Sequence, residues 1–316
     1  MAQNLSWSWL RGASTVEKAI GNDVKIGSSG NIYVIGSFYG SVQFDSTYVS
    51  EGRSDVFLVK YSPAGDIIWV KTFGGIGYDE GAALGLDSAE NLYIGGSFSD
   101  TIYIDTFSLE SRGAEDIYIA KIDSSGVPLW VKTAGSKTKD KIGIGGSGGA
   151  IGGGSSMTIN KDQELIVAGT FIGLTPANGV DTAWFDTTGL SSGYSGNSFV
   201  AKYALSGALV WIRAATRGLL TTDVTSDLFG NVFLTGIITG GTATFDNQLY
   251  PSIATGTIFV AKYNASGVFQ WVSQAGGPLD LMSRAVVTDT AGSCYLIGDF
   301  YATPLNFDWF SLPSIG

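Results

Sequence analysis

Four times in this chain a tryptophan stands nine residues after a lysine that closes an apolar run: Lys60 and Trp69, Lys121 and Trp130, Lys202 and Trp211, Lys262 and Trp271. Self-similarity at a long fixed period marks units that cannot bury a hydrophobic face alone and must stack on their neighbours. The repeat therefore constrains the fold before any local propensity does. Aligned on it, the segments 31–38, 91–98, 164–171, 231–238 and 293–300 form five copies of one strand pattern. Each copy leads to an apolar residue followed by aspartate, at Phe44-Asp45, Ile104-Asp105, Phe185-Asp186, Phe245-Asp246 and Phe307-Asp308. A lysine-bearing strand comes next, at 55–61, 116–122, 198–203 and 257–263. The turns Pro63-Ala64-Gly65, Ser124-Ser125-Gly126, Leu205-Ser206-Gly207 and Ala265-Ser266-Gly267 then lead into the tryptophan strand.

Short β-branched and aromatic runs bounded by Gly, Ser, Asn and Asp read as antiparallel strands joined by hairpins. With the segment around Ala83-Leu84-Gly85-Leu86 as a further strand, each unit of about 60 residues holds four, which is the pattern of a propeller blade. The expected fold is an all-β, single-domain β-propeller with five blades of four antiparallel strands. The last blade is shared between N- and C-terminal strands. The units run over 14–75, 76–135, 156–216, 217–277 and 278–316, the last closed by 5–13, with 136–155 as a Gly-rich surface insertion. Trp69, Trp130, Trp211 and Trp271 are expected to be mostly buried at equivalent sites between blades, with Trp9 completing a fivefold set, because a large ring fills the wedge between twisted sheets. The repeated aspartates are expected to cap turns, as are Asp55 and Asp116 before their strands. The strand-end lysines are expected to snorkel or to pair with a nearby aspartate.

These residues resemble the bacterial β-propeller repeats called SBBP repeats, whose units carry Asn-Val-Tyr-Val-Thr-Gly, Asp-x-Phe-Val-Ala-Lys-Tyr and Gly-x-x-x-Trp strands. The likeness covers residues 5 to 316 and is closest at Phe199-Val-Ala-Lys-Tyr203 and Phe259-Val-Ala-Lys-Tyr263. The resemblance implies a propeller of the kind found in secreted and surface proteins of bacteria and in some phage and virus proteins. It names no ligand.

Charge and composition narrow the chemistry. A net charge of −10 repels nucleic acid phosphates, and the densest basic stretch, Lys132 to Lys141, holds only four lysines. With no histidine and one cysteine, Cys294, the chain has no Ser-His-Asp or Cys-His system, no His-based zinc motif and no intrachain disulfide. The glycine tract 143–154 lacks the Gly-Lys-Ser/Thr ending of a phosphate loop. No apolar run reaches the roughly 18 residues of a membrane span, and Met1-Ala2-Gln3-Asn4 fits either a mature N-terminus or an intracellular start. No cofactor and no metal are expected.

Trp130 and Trp211 lie 81 residues apart, against 61 for Trp69 to Trp130 and 60 for Trp211 to Trp271. The third unit therefore carries long insertions, and 136–155 and 173–196 are expected on the exterior in contact with another molecule. Aromatic residues off the repeat, Tyr39, Tyr78, Trp184, Tyr194 and Tyr301, join Lys137, Lys139 and Lys141 as the candidate binding surface. The chain opens on a tryptophan strand, Trp7 to Gly12, and stops where the fifth lysine-bearing strand would begin. The ring is then short of one strand, or the natural protein is longer. The expected function is a non-catalytic scaffold for protein binding or adhesion at an extracellular, cell or virion surface. The alternatives are a propeller lectin and a carboxylate-dependent lyase or glycosidase.

Overall fold

The computed structural model describes residues 9–15, 17–143, 156–171, 181–192, 196–239, 241–254, 256–277, 281–300, 304–307 and 310–313. Every regular element among them is a strand, and the strand ladders are antiparallel. The first unit lays Lys18–Ile26, Ile32–Tyr39, Asp55–Tyr61 and Ile67–Phe73 side by side in sequence order. Asp79–Leu86, Leu92–Phe98, Asp116–Ile122 and Pro128–Gly135 repeat it, as do Leu219–Ser226, Val232–Ile238, Gly256–Tyr263 and Phe269–Gly277. Leu281–Thr288 and Cys294–Phe300 form a two-stranded start of a fifth.

The apolar second and third strands of the first four units are largely buried between stacked sheets, whereas Cys294–Phe300 of the fifth holds only exposed and half-buried residues. One core layer joins Tyr33, Ile35 and Leu58 of the first unit to Leu84, Ile94 and Phe98 of the second. Another joins Tyr93 and Ile119 to Leu165 and Phe199, and a third joins Val200 and Trp211 to Leu234 and Phe259. Each fully buried large side chain contributes about 1.5–3 kcal/mol to this stacking. Antiparallel sheets stacked in sequence order are consistent with a propeller.

The aspartates after the second strands mark something the pattern alone did not announce. Asp105, Asp186 and Asp246 open two-residue turns of short hairpins such as Thr101–Ile104 with Phe107–Glu110, and their φ values are +55°, +52° and +46°. They hold a left-handed backbone that Asp tolerates better than most residues, rather than capping with the side chain. Asp45 instead accepts a hydrogen bond from the Tyr48 hydroxyl at 3.0 Å, and Asp308 lies outside the described residues. Each hairpin reaches the tryptophan strand of the preceding unit, as Ala134 with Phe185, Ala215 with Phe245 and Ala275 with Phe307. Ser14–Thr15 pairs the same way with Val42 and Gln43, so the segment after Trp9 serves as a tryptophan strand ahead of the first unit.

The tryptophans lock neighbouring units by one repeated contact. The indole Nε1 of Trp9, Trp69, Trp130 and Trp211 donates to the carbonyl of Pro63, Ser124, Leu205 and Ala265 at 3.1–3.3 Å. The left-handed glycine two residues later, Gly65, Gly207 or Gly267, lies so close to the ring that a Cβ would sit 2.6–3.2 Å from it. Of the five, Trp211 alone is buried, at 8% exposure; Trp9, Trp69 and Trp130 are half-buried, and Trp271 is 39% exposed. The expectation of a mostly buried set is therefore met unevenly: Trp271 is exposed, and no described residue supplies a following turn over it.

The third unit corrects the insertion boundary. Asp140–Ile142 and Met157–Ile159 both pair with Glu164–Phe171, and together they make its first strand. In the other four units this strand carries a one-residue irregularity, between Gly21 and Asp23, Gly81 and Ala83, Thr221 and Asp223, and Ser283 and Ala285. The extra residues enter at that bulge, where the ladder is already interrupted. Residues 136–143 are therefore part of the repeat, with Ser136, Asp140 and Ile142 buried. Residues 144–155, 172–180 and 193–195 lie outside the described residues.

Candidate functional site

The start of each third strand lies beside the start of the next unit's first strand. Ser54 bridges Tyr78 and Glu115 bridges Lys139, both in parallel sense, so two successive junctions share one geometry. The Asp79 N–H donates to the Ser54 carbonyl at 3.0 Å, and the Asp140 N–H to the Glu115 carbonyl at 2.8 Å.

Side chains gather on this face from three units. The Arg53 guanidinium stacks 4.9 Å from the Tyr78 ring centroid, and its Nη1 donates to the Tyr78 hydroxyl at 2.9 Å. Tyr39 is half-buried, with the Lys18 ammonium 5.7 Å from its ring. Burial and the nearby Glu80 charge push its hydroxyl pKa up. Lys141 pairs with Glu80 at 3.2 Å and Glu115 at 2.9 Å, while Lys139 pairs with Glu115 at 2.8 Å. Burial works against the Lys141 charge, yet the two glutamates hold its pKa above the ordinary lysine value.

Of the candidate residues, Tyr39, Tyr78, Lys139 and Lys141 are thus brought together. Lys137 is exposed, and its backbone N–H donates to Asp181 at 3.0 Å, which anchors a hairpin. Trp184 is 43% exposed on that outer hairpin, paired with Gly135 and Gly189. Tyr194 and Tyr301 lie outside the described residues. Arg53, Glu80 and Glu115 escaped the sequence reading because nothing local marks them.

Beneath the face lie two pairs of buried carboxyls, Asp55 with Asp79 and Asp116 with Asp140, none more than 4% exposed. Asp55 and Asp116 do accept the capping N–H expected of them, from Glu51 at 3.2 Å and Arg112 at 3.1 Å. Asp79 and Asp140 went unnoticed, although each follows the end of a tryptophan strand by the same step, Gly75 to Asp79 and Ser136 to Asp140. A glycosidase would need substrate between two carboxyls, and these as they stand are closed to it. Among the described residues no group of three or more His, Cys, Asp or Glu side chains is arranged to hold a metal ion.

Three of the strand-end lysines take acid or carbonyl partners, and three lie over second-strand rings. Lys202 pairs with Glu164 at 2.6 Å and Lys121 with Asp87 at 3.6 Å; Lys60 donates to the Ser124 carbonyl at 3.0 Å. The ammonium groups of Lys60, Lys121 and Lys262 stand 5.0–5.2 Å from the rings of Tyr33, Tyr93 and Phe233. A cleft of about 620 Å³ opens beside Lys202, Glu164, Trp211 and Arg213. Its cations are committed, since Arg213 Nε also donates to the Gly267 carbonyl at 2.7 Å.

No family model matches the chain. It is 24% identical over 345 aligned positions to an uncharacterised WD repeat-containing protein of Acanthamoeba polyphaga mimivirus, an alignment that covers 88% of this chain and 24% of that protein. A crystal structure of a protein of unknown function from Bacteroides caccae superposes with a TM-score of 0.39 and 10% identity, covering 83% of this chain and 63% of the other. The chain thus spans about a quarter of the length of the curated relative it matches. It is a β-rich repeat protein with a distant WD repeat-containing homologue.

Proposed function

We propose that the chain is a non-catalytic five-bladed propeller of the SBBP repeat kind that binds a protein partner through the Tyr39–Tyr78–Lys141 face. It acts within an assembly at a cell or virion surface. The observation that carries this reading is the convergence of Tyr39, Arg53, Tyr78, Lys139 and Lys141 from three units onto one partly exposed face. Tyrosine and arginine are residue types that anchor protein interfaces, the tyrosine ring being large, amphipathic and low in conformational cost. The stacked sheets hold that face rigid, so partner binding does not require it to order first. The segment after Trp9, used as a tryptophan strand, supports a last blade built from both ends of the chain.

The test is site-specific photo-crosslinking in the native source, with the photoreactive residue at position 78 and, as a control, at the exposed Phe229. A discrete protein adduct at position 78, lost on Arg53→Ala, is the expected result. Equal adducts at both positions, or binding of this chain to a glycan array with no protein adduct, would overturn the reading.

A further inference from the structure

We propose that the carboxyl pairs Asp55–Asp79 and Asp116–Asp140 each hold one proton across a unit junction, making the packing of the first three units pH-sensitive. In all four residues one oxygen, Oδ2, accepts a backbone N–H: from Glu51, Gly75, Arg112 and Ser136, with a second bond from the Ser136 hydroxyl. The other oxygen, Oδ1, is buried in all four and has no hydrogen-bond partner. Buried polar oxygens are seldom left so, and here the omission repeats twice at equivalent places.

The two carboxyls of a pair flank one dipeptide. Gly74 lies against the Asp55 carboxyl, a Cβ there falling 2.3 Å from its Cγ, while the next N–H, of Gly75, points to Asp79. Gly135 lies against Asp116 at the same 2.3 Å, while the Ser136 N–H points to Asp140. The charged neighbours are Glu51 for Asp55, Asp55 and Asp100 for Asp79, Arg112 and Asp181 for Asp116, and Asp116 and Asp181 for Asp140. The Tyr118 hydroxyl also feels Asp79. No lysine or arginine forms an ion pair with any of the four among the described residues.

Two adjacent buried carboxylates cannot both stay ionised cheaply. A proton taken from water onto one carboxyl of a pair removes one of two like charges that act on each other in the interior. Burial accordingly pushes Asp79 up to about 8, Asp140 to about 7, and Asp55 and Asp116 to about 6. The other junctions place Asn197 with Leu219 and Thr257 with Leu281 at the same register positions. The fold therefore closes this junction without acids, and the two pairs add a property that packing does not demand. Their sequence neighbours Ser54, Tyr78, Glu115 and Lys139 form the bridges of the face above. A pH effect on partner binding follows from the pairs only if the proposed function holds; the shared protons themselves do not depend on it.

Raised carboxyl pKa values give stability that is full below about pH 4 and is lost as pH climbs through about 6 to 8. Thermal unfolding of the chain and of Asp79→Asn/Asp140→Asn, followed from about pH 5 to about pH 9 in chelator, tests this. The chain's Tm should fall by on the order of 5 °C more than that of the variant, whose neutral amides imitate the protonated acids. Carbon-13 titration of the aspartate carboxyls in the unmutated protein gives an independent reading: Asp55, Asp79, Asp116 and Asp140 should change between about pH 6 and 8, beside the separately buried Asp223 at about 7, and the signals of residues 79 and 140 should vanish from that window in the variant. Parallel Tm profiles with all aspartates titrating below about pH 5 would refute shared protons. So would a Tm at about pH 9 that calcium restores in the chain but not in the variant, which would assign the pairs to a cation.

Discussion

Truncating Trp211 to alanine tests the inter-unit lock directly. The ring is 8% exposed, sits in the core layer between the third and fourth units, and donates to the Ala265 carbonyl at 3.1 Å. Gly267 lies against one face, and the Lys202 and Arg213 cations stand 5.8 and 5.9 Å from the ring centroid. Losing a buried indole costs about 3–5 kcal/mol, and the lost hydrogen bond adds roughly 1 kcal/mol. Trp271→Ala is the internal control: the residue has the same place in its unit but is 39% exposed, with no following turn over it among the described residues, so about 1–2 kcal/mol is expected. Urea unfolding followed by far-ultraviolet circular dichroism measures both. Because repeat stability is a sum of unit and interface contributions, the Trp211 variant should also show a separate early phase as the junction parts. Equal losses at the two positions, or a larger loss at Trp271, would mean that the indole stabilises its own sheet and not the junction.

The other contacts give shorter tests. Glu90 receives the Ser29 N–H at 2.6 Å and hydroxyls from Ser28, Ser29 and Tyr33, which hold its pKa at about 2. Glu90→Gln should lower stability at neutral pH, and the gap from the unmutated chain should close as pH falls from about 4 towards 2 in a thermal titration. Gly74→Ala should cost about 1–3 kcal/mol in denaturant unfolding because its Cβ would strike the Asp55 carboxyl, whereas Gly12→Ala, with nothing within 4 Å, should change little. Deleting residues 144–155, so that Gly143 joins Ser156 at the bulge, should leave the circular dichroism spectrum and Tm close to those of the full chain. A collapse of either would show that the insertion is needed to complete the first strand.

The fold was legible because a stacked repeat writes each contact several times. Five strand copies, four lysine-to-tryptophan steps and four Ser/Ala-Gly turns fix which segments neighbour which, and the indole-to-turn bond uses those same positions. The short hairpins were half visible: the apolar-aspartate pair was noticed, but its meaning lies in a left-handed φ that composition does not reveal. The boundary of the third-unit insertion was misplaced because Asp140–Ile142 is too short to read as a strand before its ladder to Gly169–Phe171 is seen.

The candidate site was much less legible, for a physical reason. Its members occur once each, so the repeat does not announce them, and stacking alone brings Tyr39, Tyr78 and Lys141 from three different units to one face. The buried pairs beneath them follow a different logic. Asp55 and Asp116 each read as an ordinary cap, and each is one, through a single oxygen. Their second oxygen becomes informative only when the next unit brings Asp79 or Asp140 alongside it, since an unpartnered acceptor in the interior is costly and two together are costlier. The distinction between the first two junctions and the last two is therefore the most specific statement this chain makes. The same backbone register is closed by acids in one half of the stack and by Asn, Thr and Leu in the other, which confines any response to pH at these junctions to the units that build the Tyr39–Tyr78–Lys141 face.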